Sequence, residues 1–183
     1  KRISQKQQIF VQIRLLLIFL FPGIPGLIKN IMNLFRPRPA FSLLNADYVK
    51  LNKSWNYQKV ISPFYRLYLV EDGDGKLSGI GSQQLLEKGY LYLIPSYTLC
   101  TYSCREYLSK YYVHIMEEPP GTDSLFASCR RILKIPATEA DLAGFKRILL
   151  LNPDRTLKGS RDPKVYEKDA TIQGFRDLNR LSP

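Results

Sequence analysis

Few residues in this 183-residue chain are equipped for chemistry, and the shortage narrows the options. There is one histidine, His114, and three cysteines, Cys100, Cys104 and Cys129. An odd cysteine count without a Cys-x-x-Cys pair is neither a disulfide framework nor a zinc site. Cys100 and Cys104 are too far apart along one extended segment for an easy bridge. Reduced thiols and a cytoplasmic location are therefore expected. No pair of carboxylates or second histidine accompanies His114 as an acid–base partner. What remains is a set of polar and aromatic side chains in strand-like runs. Alternation puts Phe64, Arg66, Tyr68 and Val70 on one side of a first strand, and Tyr112, His114 and Met116 on one side of a last strand. Guanidinium, phenol and imidazole groups among apolar walls suit a small oxygen-rich ligand. Each also has a plainer reading. Arg66 could pair with Glu71, Glu87 or another acid and serve only structure, and His114 could make a single hydrogen bond within its strand.

The elements that must position these groups follow from periodicity and punctuation. The stretch Phe64–Cys104 alternates Tyr, Leu, Val and Ile runs with turn residues, and twelve tyrosines suit strands with one dry and one wet end. Asp72-Gly73-Asp74-Gly75 reads as a hairpin turn, because Asp-Gly tolerates the positive φ of a tight reversal. The expected strands are Phe41–Tyr48, Phe64–Glu71, Lys76–Ile80, Gln84–Leu86, Tyr90–Ile94, Thr98–Cys104 and Leu108–Met116. Trp55, just ahead of the core, reads as core packing. From Gly121 the pattern becomes helical. One helix is expected over 122–134, another over 139–151 behind a Thr138 cap and ahead of Asn152-Pro153, and a third over Val165–Leu178. Strands first and helices after make an α+β chain.

Residues 1–39 are a basic and apolar leader and linker unlike the rest. Residues 1–31 hold five Lys/Arg and no acid, almost half of the net charge of +11. The 14 uncharged residues from Leu15 to Ile28 fall short of a bilayer span and contain Pro22 and Pro25. Three readings stay open for the leader: a non-native segment ahead of a start at Met32, a signal or anchor, or a packed helix. The scattered basic residues elsewhere read as solvated surface rather than as a nucleic-acid footprint. No membrane partner is expected.

The run Gly89-Tyr-Leu-Tyr-Leu-Ile-Pro95-Ser-Tyr97-Thr-Leu-Cys100-Thr-Tyr-Ser-Cys104 resembles the second cupin motif, Gly-x5-Pro-x-Gly-x2-His-x3-Asn. Gly89 and Pro95 match. Tyr97 stands at the second glycine, Cys100 at the metal-binding histidine and Cys104 at the asparagine. In the first motif, Arg66 stands at the metal-binding glutamate, counting back from Gly73, and Lys59–Ser62 holds no histidine. A fixed positive charge where a cation would sit argues against a metal or other cofactor. Over residues 41–183, NADYVKLNKSWNYQKVISPFYRLYLVEDGDG, GYLYLIPSYTLCTYSC and YYVHIMEEPPGTDSLF resemble the amino-terminal sensor domain of bacterial AraC-family transcriptional regulators. The resemblance implies a cupin-like antiparallel β-barrel (jelly roll) over 40–120, followed by a helical dimerisation segment over 121–183. It implies a small-molecule effector, a homodimer, and operator DNA read by a C-terminal domain beyond Pro183. The ligand-binding residues it suggests, combined with the alternation, are Arg66, Tyr68, Cys100, Tyr102, Tyr112 and His114, with no catalytic residue. The alternative is a metal-free cupin enzyme acting on a sugar or small acid.

Overall fold

The computed structural model describes residues 40–79, 82–118, 131–157, 168, 170, 172 and 173. Seven strands are laid down in chain order: β1 (Ala40–Asn52), β2 (Asn56–Val60), β3 (Tyr65–Gly79), β4 (Ser82–Leu86), β5 (Tyr90–Ile94), β6 (Cys100–Glu118) and β7 (Leu133–Pro136). One helix, α1 (Glu139–Leu151), follows. The sheet is antiparallel, in the order β1-β6-β3-β5-β7, with β2 added to β6 and β4 to β3. Among the described residues it is an open sheet, where a closed barrel was expected.

Two long strands are its spine. β3 and β6 run side by side from Tyr65–Ile115 to Ser78–Thr101. Their Arg66–Leu69 and Tyr107–Glu118 halves are flanked by β5 and β1, and their other halves by β4 and β2. This corrects the expected hairpin at Asp72–Gly75, because β3 passes straight through that sequence. It also joins Thr98–Cys104 and Leu108–Met116 into one 19-residue strand. The turn-forming residues are used instead for a bulge. Gly73 pairs with Leu108 and Gly75 with Cys104, so three residues of β6 oppose Asp74 alone. The Asp74 carboxylate takes up amides freed by the mismatch, accepting from Glu106 N at 3.1 Å and Tyr107 N at 3.2 Å. Burial pushes its pKa up, but those two amides, the Cys104 thiol and Arg105 outweigh it and hold the carboxylate below its ordinary value. Gly73 has φ +114, and a Cβ there would lie 2.2 Å from the Tyr107 carbonyl oxygen. Only glycine fits.

Alternation then builds two cores. Tyr65, Leu67 and Leu69 of β3 and Tyr111, Val113 and Ile115 of β6 pack on one face against Phe145 and Ile148 of α1. On the other face Tyr68, Val70, Tyr92, Ile94 and Tyr112 meet Leu77, Leu86, Cys100, Tyr102 and Cys104 from the far halves of the spine and their neighbours. The second core thus lies between two parts of one sheet, as in a jelly roll. The helix forms where the sequence predicts it. Thr138 and Asp141 make a reciprocal capping box, and Asn152 closes the far end with its amide on the Leu149 carbonyl.

The expected helix over 122–134 is contradicted at its end, where Leu133–Pro136 is a strand on β5. β5 offers an open edge there, and Leu133 and Ile135 join the outer core from an extended backbone. The rest of that helix, the leader, Cys129 and nearly all of the third helix lie outside the described residues. No helix among the described residues is long and apolar enough to cross a membrane.

Candidate ligand-binding site

A cavity of about 280 Å³ opens within the second core. The register explains its lining. Arg66 lies opposite His114 and Tyr68 opposite Tyr112 across β3 and β6, while Asp47 faces Tyr112 across β1 and β6. Residues two apart share a face, so Lys110, Tyr112 and His114 project together from β6. Trp55, ahead of β2, and Tyr102, from the other half of β6, close the opposite side. Their rings stack at 5.3 Å with 17° between planes.

Arg66, Tyr68, Tyr102, Tyr112 and His114 from the sequence-predicted set come together here. Cys100 does not. It is fully buried in the surrounding core, where the thiol is pushed upward in pKa by desolvation, and it is outside the lining. Cys104 is likewise core, its thiol donating to Asp74 and raised to about 11, chiefly by burial. Both cysteines are free. Neither Glu71 nor Glu87 pairs with Arg66: the former accepts from Tyr48 and the latter from Lys134.

Arg66 is 1% exposed. One guanidinium nitrogen, Nη2, donates to the Thr98 carbonyl at 3.3 Å, and the ring of Tyr102 lies 5.3 Å from the guanidinium carbon. Among the described residues Nε and Nη1 find no hydrogen-bond partner, nor do the ring nitrogens of His114 and the Tyr102 hydroxyl, all of them buried. Thr98 follows Tyr97, which stands where the cupin motif has glycine and takes φ 55.

The residue missed at the sequence level is Lys110. It is 3% exposed, with its ammonium 3.3 Å from the ring centre of Tyr68 and 4.1 Å from that of Trp55. Among the described residues no carboxylate forms an ion pair with it. Burial, and then the charge of Arg66, hold its pKa well below the ordinary lysine value. The same two causes, with Lys110 added, keep His114 well below its ordinary value. His114 is therefore a neutral imidazole, with one nitrogen free to donate and the other to accept. A signal for Lys110 was present: it is two residues from Tyr112 and four from His114, on the strand face already assigned inward. Trp55, read as core packing, is both core and wall. No cluster of three or more His, Cys, Asp or Glu suited to a metal ion occurs among the described residues.

No protein-family model matches the sequence, and no curated protein matches it. Solved structures do match. YhaK from Escherichia coli is 16% identical over 54% of this chain and 44% of its own, with a TM-score of 0.40. ToxT from Vibrio cholerae, in a structure with unsaturated fatty acid bound, is 12% identical over 77% of this chain and 54% of its own, with a TM-score of 0.41. A cupin-2 domain protein from Shewanella frigidimarina is 14% identical over 50% of this chain and 92% of its own, with a TM-score of 0.34. The chain spans about half the length of the first two. Similarities of this size carry no functional argument.

Proposed function

We propose that this chain is a ligand-binding sensor domain of the AraC type, taking a small polar molecule, sugar-like or anionic, without a metal. One observation carries the reading: a fully buried arginine lines a cavity and, among the described residues, finds no partner for two of its nitrogens. Burying unpaired donors costs about 1–3 kcal/mol per group. A structural arginine would be expected to have more of its fork satisfied, whereas a ligand would supply the missing acceptors. The sequence resemblance adds the context of an effector sensor that dimerises through helical elements and passes a signal to a DNA-reading domain further along the protein. For such a sensor, the effector must bind one of two states better than the other. A thermal-shift screen of the full chain against monosaccharides, sugar acids and small carboxylates tests the reading. A hit raises the midpoint by linkage, and Arg66→Ala abolishes the gain. A panel with no hit, together with an Arg66→Ala variant that only loses stability, would make Arg66 a structural residue.

A metal-free enzyme is the second reading, favoured by the neutral His114 ring packed 4.9 Å from the ring of Tyr112. A hit that is converted to product, with turnover lost in His114→Gln, would establish it. The expected homodimer is tested by sedimentation, and a monomer at high concentration would overturn it.

A further inference from the structure

The cavity wall brings two basic side chains, Arg66 and Lys110, together with an imidazole and several hydroxyls. Arg66, Tyr102 and His114 line it, and among the described residues Nε and Nη1 of Arg66, the Tyr102 hydroxyl and both ring nitrogens of His114 are buried without a hydrogen-bond partner. Lys110 adds an ammonium held against Tyr68 and Trp55. Acceptors are present too: the second nitrogen of His114, the carboxylate of Asp47, which already accepts from the Tyr48 amide at 2.7 Å, and the hydroxyl oxygens of Ser62, Tyr68, Tyr102 and Tyr112. Two basic side chains line one cavity, and among the described residues neither forms an ion pair, which favours an anion over a neutral molecule. Much of the wall (Val49, Leu51, Trp55, Phe64 and Leu157) is apolar or aromatic, which fits a ring or short chain better than a second charged group. At ~30 Å³ per water, the volume equals about nine waters, a compact single-ring molecule.

We propose that this cavity selects a compact monocarboxylate over neutral molecules of the same shape, its carboxylate held between Arg66 and Lys110, with a proton taken up at Lys110 as the anion enters. The proposal rests on the ligand-binding reading above and narrows it to one charge class. The proton follows from the surroundings of Lys110. Arg66 on β3 opposes its charge. Tyr68 on β3 and Tyr102, Tyr112 and His114 on β6 bring no negative charge at neutral pH, and the thiols of Cys100 and Cys104 are protonated there. Asp47 on β1 stands on the lining but forms no ion pair with Lys110. An entering carboxylate adds a counter-charge beside Lys110, and it moves the lysine toward its charged form.

The chain carries built-in reporters, since its one tryptophan and its one histidine both line the cavity. The experiment titrates the full chain with benzoate and with benzamide, a matched charged and neutral pair. Trp55 fluorescence and the His114 ring resonances are followed, and galactose and galacturonate are run alongside. Calorimetry in bis-Tris and in Tris, which differ in ionisation enthalpy and add no buffer anion, counts protons. Benzoate is expected to bind saturably and at least ten times more tightly than benzamide. Proton uptake should rise toward one per site as pH increases and Lys110 discharges in the empty protein. Lys110→Met should remove the uptake and weaken benzoate at least tenfold. Lys110→Gln serves as a second variant, and the proton count on the unmodified chain needs neither. Benzamide or galactose binding within threefold of its charged partner, or benzoate binding with no proton uptake across the pH range, overturns this inference while leaving a ligand-binding cavity. No saturable response from any of the four probes overturns the ligand-binding reading as well.

Discussion

Along β3, Tyr65, Leu67 and Leu69 point to one face, and Arg66, Tyr68 and Val70 to the other. Along β6, Tyr111, Val113 and Ile115 share the first face, and Lys110, Tyr112 and His114 the second. The same backbone pairing therefore serves two different constructions. The outer face is dry and apolar, sealed by Phe145, which has no exposed surface, and by Ile148. The inner face buries a guanidinium, an ammonium and an imidazole around a cavity. The comparison teaches that the two faces answer different demands. The outer face supplies burial, at about 25 cal/mol per Å² of apolar surface. The inner face gives up part of that gain by burying polar and basic groups around a cavity.

The largest expected effect comes from the sealed face. Phe145→Ala should cost about 3–5 kcal/mol by urea denaturation, because it opens a void between α1 and the sheet. Ligand affinity should survive wherever the variant is folded. A loss of affinity with stability intact would mean the two faces are coupled. Next is the bulge that joins the halves of the spine. Gly73→Ala forces a side chain into positive φ and against the Tyr107 carbonyl, and should cost about 2 kcal/mol or more. A neutral result would show that the register shift can slide.

The inner face should respond in the opposite sense. Lys110→Met removes a buried amine while keeping a long apolar stem, and should stabilise the empty protein by about 1 kcal/mol at neutral pH. The sign follows from linkage. A lysine whose folded pKa is depressed binds fewer protons when folded than unfolded between that pKa and 10.5. Stability of the unmodified chain therefore rises with pH through that window, and the advantage of methionine shrinks. A destabilised Lys110→Met would show that the contacts of the ammonium with Tyr68 and Trp55 outweigh its burial. The smallest expected effect belongs to His114. Its depressed pKa gives the same sign at lower pH: stability falls as pH drops below about 6.5 toward the folded-state value. His114→Phe should flatten that slope, and an unchanged slope would assign it to other groups.

Much of this architecture was legible because its causes are local. The α1 helix carries its own cap at Thr138, its stripe of Leu142, Phe145, Ile148 and Leu149, and its stop at Asn152-Pro153. Tyr90–Ile94 is a short apolar run between Gly89 and Pro95, and it is a strand with those limits. Strand alternation was enough to put Arg66 with Tyr68, and His114 with Tyr112. The readings that failed depended on neighbours distant in sequence. Asp-Gly at 72–75 carries the conformational freedom of a turn, yet an adjacent β6 turns that freedom into a bulge. Leu133 fits a helical stripe, yet an open edge on β5 recruits it as a strand.

By itself, then, the sequence determined which residues alternate, where one helix starts and stops, and that few groups are available for metal or acid–base chemistry. Only the tertiary structure decided that β3 and β6 are continuous, that Cys100 lies behind the wall rather than in it, and that Lys110 shares a cavity with Arg66. The physical reason is range. Dihedral preference, capping and alternation act over a few residues and are written in the local chain. Register, desolvation and the meeting of two like charges depend on segments some forty residues apart, and take their values only when those segments pack.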